Sequence, residues 1–230
     1  MVTAPVPLAV DSFEDFRFFQ ALIEIKYQKA NKYWDASGQL IETIEQRLPG
    51  LKCEKLEENG FRFSGASAGI TVAQFYWDKV VLIQSASDPA TRFLETAGEF
   101  FRLTSSALGV SKLERVGHRL WFYVPASREQ AAARLKAVKL WTPTSHFGVW
   151  GNVLSEGSVL KTEHPDPKRT IRVELSVGEL RGPSTPSVSG ILVDIDFALP
   201  EPLAGSAFDL QDFARWNAKF AKQHLAELFT

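Results

Sequence analysis

The chain has 230 residues, 45% of them hydrophobic and 12% aromatic, which is enough to fill one large core or two smaller ones. Its 26 basic and 27 acidic side chains nearly cancel, which excludes a general attraction to DNA or to an acidic membrane, so such binding needs a local patch. A single cysteine, Cys53, excludes an intramolecular disulfide and a cysteine-based zinc cluster.

In chain order, the opening MVTAPVPLAV lacks the basic region and apolar core of an export signal. Charges interrupt every apolar run before the roughly 18 residues that would cross a bilayer. The expectation is a cytoplasmic protein without a membrane partner. Residues 1–20 form an N-terminal segment in which Phe13, Phe16, Phe18 and Phe19 read as a strap over the core or, if exposed, as a contact site. ALIEIKYQ (21–28) alternates apolar and charged residues, as a half-buried strand does. ASGQLIETIEQRLPG is predicted as a helix capped by Ser37, with Leu40, Ile41, Ile44 and Leu48 on one stripe and a stop at Pro49 and Gly50. Antiparallel hairpins follow, turning at Glu58, Asn59 and Gly60 and again at Asp78 and Lys79. The helix TRFLETAGEFFRLTSSALG, striped by Phe93, Ala97, Phe100, Phe101, Thr104 and Leu108 and ended by Gly109, completes a unit over 21–110.

Residues 111–230 run through a similar order. LERVGHRLWFYV is a predicted strand, and SREQAAARLKAVKL a helix opened by Ser127. FGVWGNVLS, KRTIRVELSVGEL and ILVDIDFAL are predicted strands, separated by the turn-rich EHPDPK and by GPSTPSVSG. DLQDFARWNAKFAKQHLAELF closes the chain as a helix, with Asp209 as cap and Leu210, Phe213, Asn217, Phe220, His224 and Leu228 along one side. Both halves read β-α-β-β-β-α and pack as one globular domain. The expected class is α+β, a curved antiparallel sheet with helices on one face; a single helix-grip fold is the alternative.

This order resembles the TATA-box-binding protein fold, a tandem unit whose sheets join into a saddle. The strands ALIEIKY and RVGHRLWF and the long last helix are also similar to a sporadically distributed bacterial family of uncharacterised proteins. The first resemblance implies a saddle-shaped sheet, and neither brings a catalytic signature.

Candidate chemistry lies on the strand faces. Parity sets Asp194 and Asp196 opposite the apolar row Ile191, Val193, Ile195 and Phe197, and Arg172 and Glu174 opposite Ile171, Val173, Leu175 and Val177. Glu24 and Lys26 face outward from the first strand in the same way. In RVGHRLWFYVP, Arg115, Arg119, Trp121 and Tyr123 alternate with Val116, His118, Leu120, Phe122 and Val124; two arginines and two aromatics suit a base, a phosphate or a peptide carboxylate. The paired aspartates raise the question of a divalent cation, but the sequence fixes no third carboxylate beside them, and the expectation is salt-bridged surface with no metal and no cofactor.

The histidines, His118, His146, His164 and His224, have no zinc-ligand spacing; His118 and His224 read as core residues and His164 as part of a surface turn. GASAG (65–69) has the letters of GxSxG, but the glycines of FSGASAGI join two predicted strands rather than a strand to a helix, so they form no nucleophile elbow; no nucleotide-binding glycine motif is present, and Cys53 reads as an inert thiol. The sequence therefore points to a non-enzymatic protein-interaction or ligand-binding module. It would use a sheet face built from Arg115, Arg119, Trp121, Tyr123, Arg172, Glu174, Asp194 and Asp196, where mixed charge suits a polypeptide better than a nucleic acid. The alternatives are a saddle-like nucleic-acid binder and an enzyme that assembles Asp194, Asp196, Glu174 and His118 in a pocket.

Overall fold

The computed structural model describes residues 10, 12–56, 59–65, 70–85, 90–138, 152–155, 159–165, 168–180, 188–199, 203–204 and 208–229. The chain is α+β, with an antiparallel sheet and four α-helices among the described residues. Its elements are β1 (Arg17–Tyr27), α1 (Tyr33–Arg47), β2 (Lys52–Lys55), β3 (Phe61–Gly65), β4 (Ile70–Phe75), β5 (Lys79–Ser85) and α2 (Ala90–Leu108). Then come β6 (Lys112–Pro125), α3 (Arg128–Ala137), β7 (Asn152–Ser155), β8 (Val159–Pro165), β9 (Lys168–Leu180), β10 (Val188–Leu199), the short β11 (Leu203–Ala204) and α4 (Leu210–His224). Among the described residues four strands, rather than three, follow the first helix of each half before α2 in the first and the short β11 in the second.

Two compact units are each discontinuous in sequence. The first comprises Gln20–Arg119 and Ala198–Asn217; the second comprises Met1–Phe19, Leu120–Phe197 and Ala218–Thr230.

In the first unit the strands run β2-β3-β4-β5-β1-β6. Register places Ile23 opposite Leu82, Leu82 opposite Ala73 and Ala73 opposite Phe63, so one parity of four strands forms a continuous buried row. Leu40 and Ile44 of α1 and Phe93, Ala97 and Phe100 of α2 close over it. Phe63 stacks on Phe75 at 6.0 Å and meets Phe100 edge-on at 5.5 Å. Each such ring stabilises by about 1.5–3 kcal/mol through burial. Helix α1 begins four residues before its predicted cap, because Tyr33 anchors the first turn: its ring packs on Phe75 at 6.0 Å and its hydroxyl donates to the Asn59 carbonyl. Ser37 is therefore inside the helix, buried, and donates to the Tyr33 carbonyl. Helix α2 ends as expected at Gly109, whose φ of +67° is the left-handed conformation that glycine adopts without strain.

The second unit runs β6-β10-β9-β8-β7. Ile191, Val193, Ile195 and Phe197 of β10 are fully buried, as parity predicts, and Leu160 of β8 lies opposite the buried Val173 of β9. Helix α3 has the predicted cap: Gln130 N–H donates to Ser127 Oγ at 3.2 Å, and Ser127 N–H to Gln130 Oε1 at 3.1 Å. The aromatic entry packs here. Phe16 lies 5.5 Å from Phe229, and Phe13 and Phe18 lie 5.7 and 5.8 Å from Phe122, while Phe19 remains 37% exposed. Strand β8 occupies part of the stretch predicted as a turn, and of the predicted strand FGVWGNVLS only Asn152–Ser155 lies within the described residues.

Candidate functional site

The sequence-predicted site residues divide between the two units. In the first, Arg115 and Arg119 stand on the outward parity of β6. Arg115 lies 3.4 Å from Glu24, which also meets Lys26 at 3.8 Å, so one carboxylate is shared by two cations. Beside this charged group, register sets Leu22 opposite Ile83 and Ile83 opposite Val72, an aliphatic row across three strands on the same side.

In the second unit Trp121, Tyr123, Arg172, Glu174, Asp194 and Asp196 are all half-buried on outward parity. Arg172 and Glu174 are brought together at 2.8 Å. Lys161 lies directly opposite Arg172, and Val159 opposite Glu174. Gly178 gives Leu192 its place on this side, since a Cβ at that glycine would fall 2.3 Å from Leu192 Cδ1. The outward surface of this unit thus carries two aromatics, an aliphatic contact and charges of both signs.

The histidines are placed differently. His118 is 3% exposed, and its Nδ1 lies 3.3 Å from Asn217 Nδ2, with the amide in position to donate; Asn217 is completely buried. That is a closed core contact. His224, at the last turn of α4, pairs with Glu227 Oε1 at 2.9 Å and packs on Phe220 at 4.7 Å. His164 is a strand residue and not the surface-turn residue predicted from TEHPDPKR: it sits on β8 and meets Phe220 edge-on at 5.6 Å. The two prolines and the aspartate that follow it favour a turn locally, and the contact with α4 outweighs that preference. His146 lies outside the described residues.

Cys53 is half-buried, and burial, reinforced by Glu45 and Glu54, pushes its thiol up to about 11, the opposite of an activated nucleophile. Among the described residues no group of three or more His, Cys, Asp or Glu side chains is placed to hold a metal ion. No described helix is long and apolar enough to cross a membrane.

The first unit also holds features that strand parity does not reveal. Trp34 is 67% exposed and Trp77 42% exposed, with Lys29 Nζ 4.4 Å above the Trp77 ring. A cleft of about 640 Å³ is lined by Tyr27, Lys29, Lys32, Asp78, Gly109 and Glu114. For Trp34 a signal was present, since it lies off the buried stripe of Tyr33, Ser37, Leu40 and Ile44 on α1. Trp77 stands just before a turn, where periodicity is silent. No protein-family model matches the chain, and no curated protein matches it in sequence.

Proposed function

We propose that the chain is a non-enzymatic, cytoplasmic polypeptide-binding module whose working surface is the outward side of its strands, centred on Trp121, Tyr123, Arg172, Glu174, Asp194 and Asp196. The observation that carries this reading is that Trp121 and Tyr123 are half-buried on the side that also holds the Arg172–Glu174 pair. Aromatics and arginine supply most of the affinity at protein interfaces, and paired charges of both signs select a partner that carries both. His118, the base that an enzyme would need, is sealed against Asn217. A tandem arrangement of elements belongs to the same reading, supported by the order strand, helix, four strands that recurs along the described chain.

Lys161 opposite Arg172 favours a second reading, an anionic strand such as single-stranded RNA. One experiment separates the two. Panels of extended mixed-charge peptides and of RNA oligonucleotides are screened by fluorescence anisotropy, with the Trp121→Ala, Arg172→Glu double variant as control. The polypeptide reading expects peptide binding that the variant weakens at least tenfold and that tolerates moderate salt. Retention of RNA alone, falling steeply with salt, replaces it with the second reading. Peptide binding that the variant leaves unchanged removes this surface.

A further inference from the structure

Strand β2 is the terminal strand of the first unit's sheet, and among the described residues no strand pairs with its outer edge. Leu56 N–H donates to the Gly60 carbonyl at 2.8 Å, and the register continues through Lys55–Phe61, Glu54–Arg62, Cys53–Phe63 and Lys52–Ser64. Bonded and non-bonded pairs alternate in an antiparallel ladder, so Glu54 and Lys52 bond to β3 while the N–H and C=O of Cys53 and Lys55 point outward. The outward Cys53 N–H is taken: it donates to Oε1 of Glu45, on α1, at 3.0 Å. An open strand edge is a template for another strand, and proteins close such edges with charge or cover. Here a single carboxylate from the neighbouring helix does so.

We propose that β2 is a latched pairing edge: Glu45 closes it in the isolated chain, and with Glu45 withdrawn the strand pairs antiparallel with β2 of a second copy about a two-fold axis at Cys53. The strand's own sequence selects that occupant. With Cys53 opposite Cys53, Lys52 of each copy falls opposite Glu54 of the other, and the two pairs flanking the axis are of opposite charge. An axis between Cys53 and Glu54 would instead oppose Lys52 to Lys55. The Cys53 axis also joins the two outward-pointing residues, which then exchange both backbone hydrogen bonds across the axis.

The test uses the full chain, with Glu45→Ala as the opening variant, since alanine is a strong helix former and keeps the last turn of α1, and Glu45→Gln as a weaker acceptor of the same length. Directly opposed residues of a bonded pair stand about 5.5 Å apart at Cα, within the range of about 4.4–6.8 Å that a disulfide bridges. Oxidised glutathione therefore traps the pair: two Cys53 thiols become one disulfide and two glutathione thiols are released. Because the Cys53 thiol is pushed up to about 11, trapping is run at alkaline pH.

The expected result is at least tenfold more covalent dimer for Glu45→Ala than for wild type, with an intermediate yield for Glu45→Gln. Adding Lys52→Glu to Glu45→Ala abolishes the dimer, and adding Glu54→Lys as well restores it. If Glu45→Ala traps no more dimer than wild type while a small thiol reagent still modifies Cys53, the latch is refuted. A dimer that Lys52→Glu leaves undiminished, or an added mixed-charge peptide with one cysteine that is captured by disulfide on Cys53 in its place, refutes self-pairing in this register.

Discussion

Along β1, Ile23 and Ile25 are fully buried while Glu24, between them, stands on the other side against Arg115 and Lys26. The two sides of the first unit's strands hold polar groups by different rules. Toward the helices several are neutral and hydrogen-bonded: the Tyr27 hydroxyl donates to the Tyr76 carbonyl at 2.6 Å, the Tyr33 hydroxyl to the Asn59 carbonyl, and Asn217 meets His118, although the buried Thr104 hydroxyl has no such partner among the described residues. On the outward side they are ions held in loose pairs. Burying an ion costs several kcal/mol even when it is paired, whereas an exposed pair costs little and contributes little. The outward side can therefore change its residues without loss of the fold, and a binding function can be written there.

The largest expected effect comes from breaking the neutral rule. Asn217→Leu removes the amide that faces Nδ1 of the buried His118 ring and should cost about 1–3 kcal/mol in chemical denaturation, with part recovered when His118→Leu is added. Full recovery would show that the pair only fills space. A smaller effect follows from the tyrosines. Burial raises Tyr27 well above its ordinary value and pushes Tyr33 up to about 12. An unfolded tyrosine ionises near about 10, so both contribute fully below that pH and the contribution is lost as pH climbs through the folded values. Melting temperature followed from neutral to strongly alkaline pH should fall above about 10, and less so in Tyr33→Phe; equal falls would contradict the burial argument. The smallest effect belongs to the outward side. Glu24→Gln should cost under about 1 kcal/mol and less in high salt, and a cost near that of Asn217→Leu would erase the distinction between the two sides.

Strand faces were legible because alternation is a local property. Ile191 to Phe197, Ile171 to Leu175 and Ile23 to Tyr27 are buried on the predicted parity, and Asp194 and Asp196 fall on the other. Caps were legible where the first turn has no competing anchor, as at Ser127 and at Asp209, whose Oδ1 accepts from Asp212 N–H at 2.9 Å. Ser37 misled because a serine before an apolar stripe has the same local signature whether it caps or lies within the helix, and the deciding contact, Tyr33 on Phe75, spans distant sequence. His164 misled for the same reason, since its partner Phe220 lies on the last helix. Of the candidate site, side and charge were readable. The sharing of Glu24 by two cations, the exposed Trp34 and Trp77, and the capture of the Cys53 N–H by Glu45 depend on which helix and strand become neighbours in space.

Phe16 against Phe229 joins residues near opposite ends of the sequence within the second unit. Closing so long a loop is entropically costly and slow, and nothing local rewards it in advance. During synthesis the hairpins β2–β3, β3–β4 and β4–β5 can form while the chain is still growing, but the second unit must wait for its last turn to be made. Until then the aromatic entry has no Phe229 to cover it, and apolar surface left open in this way favours aggregation.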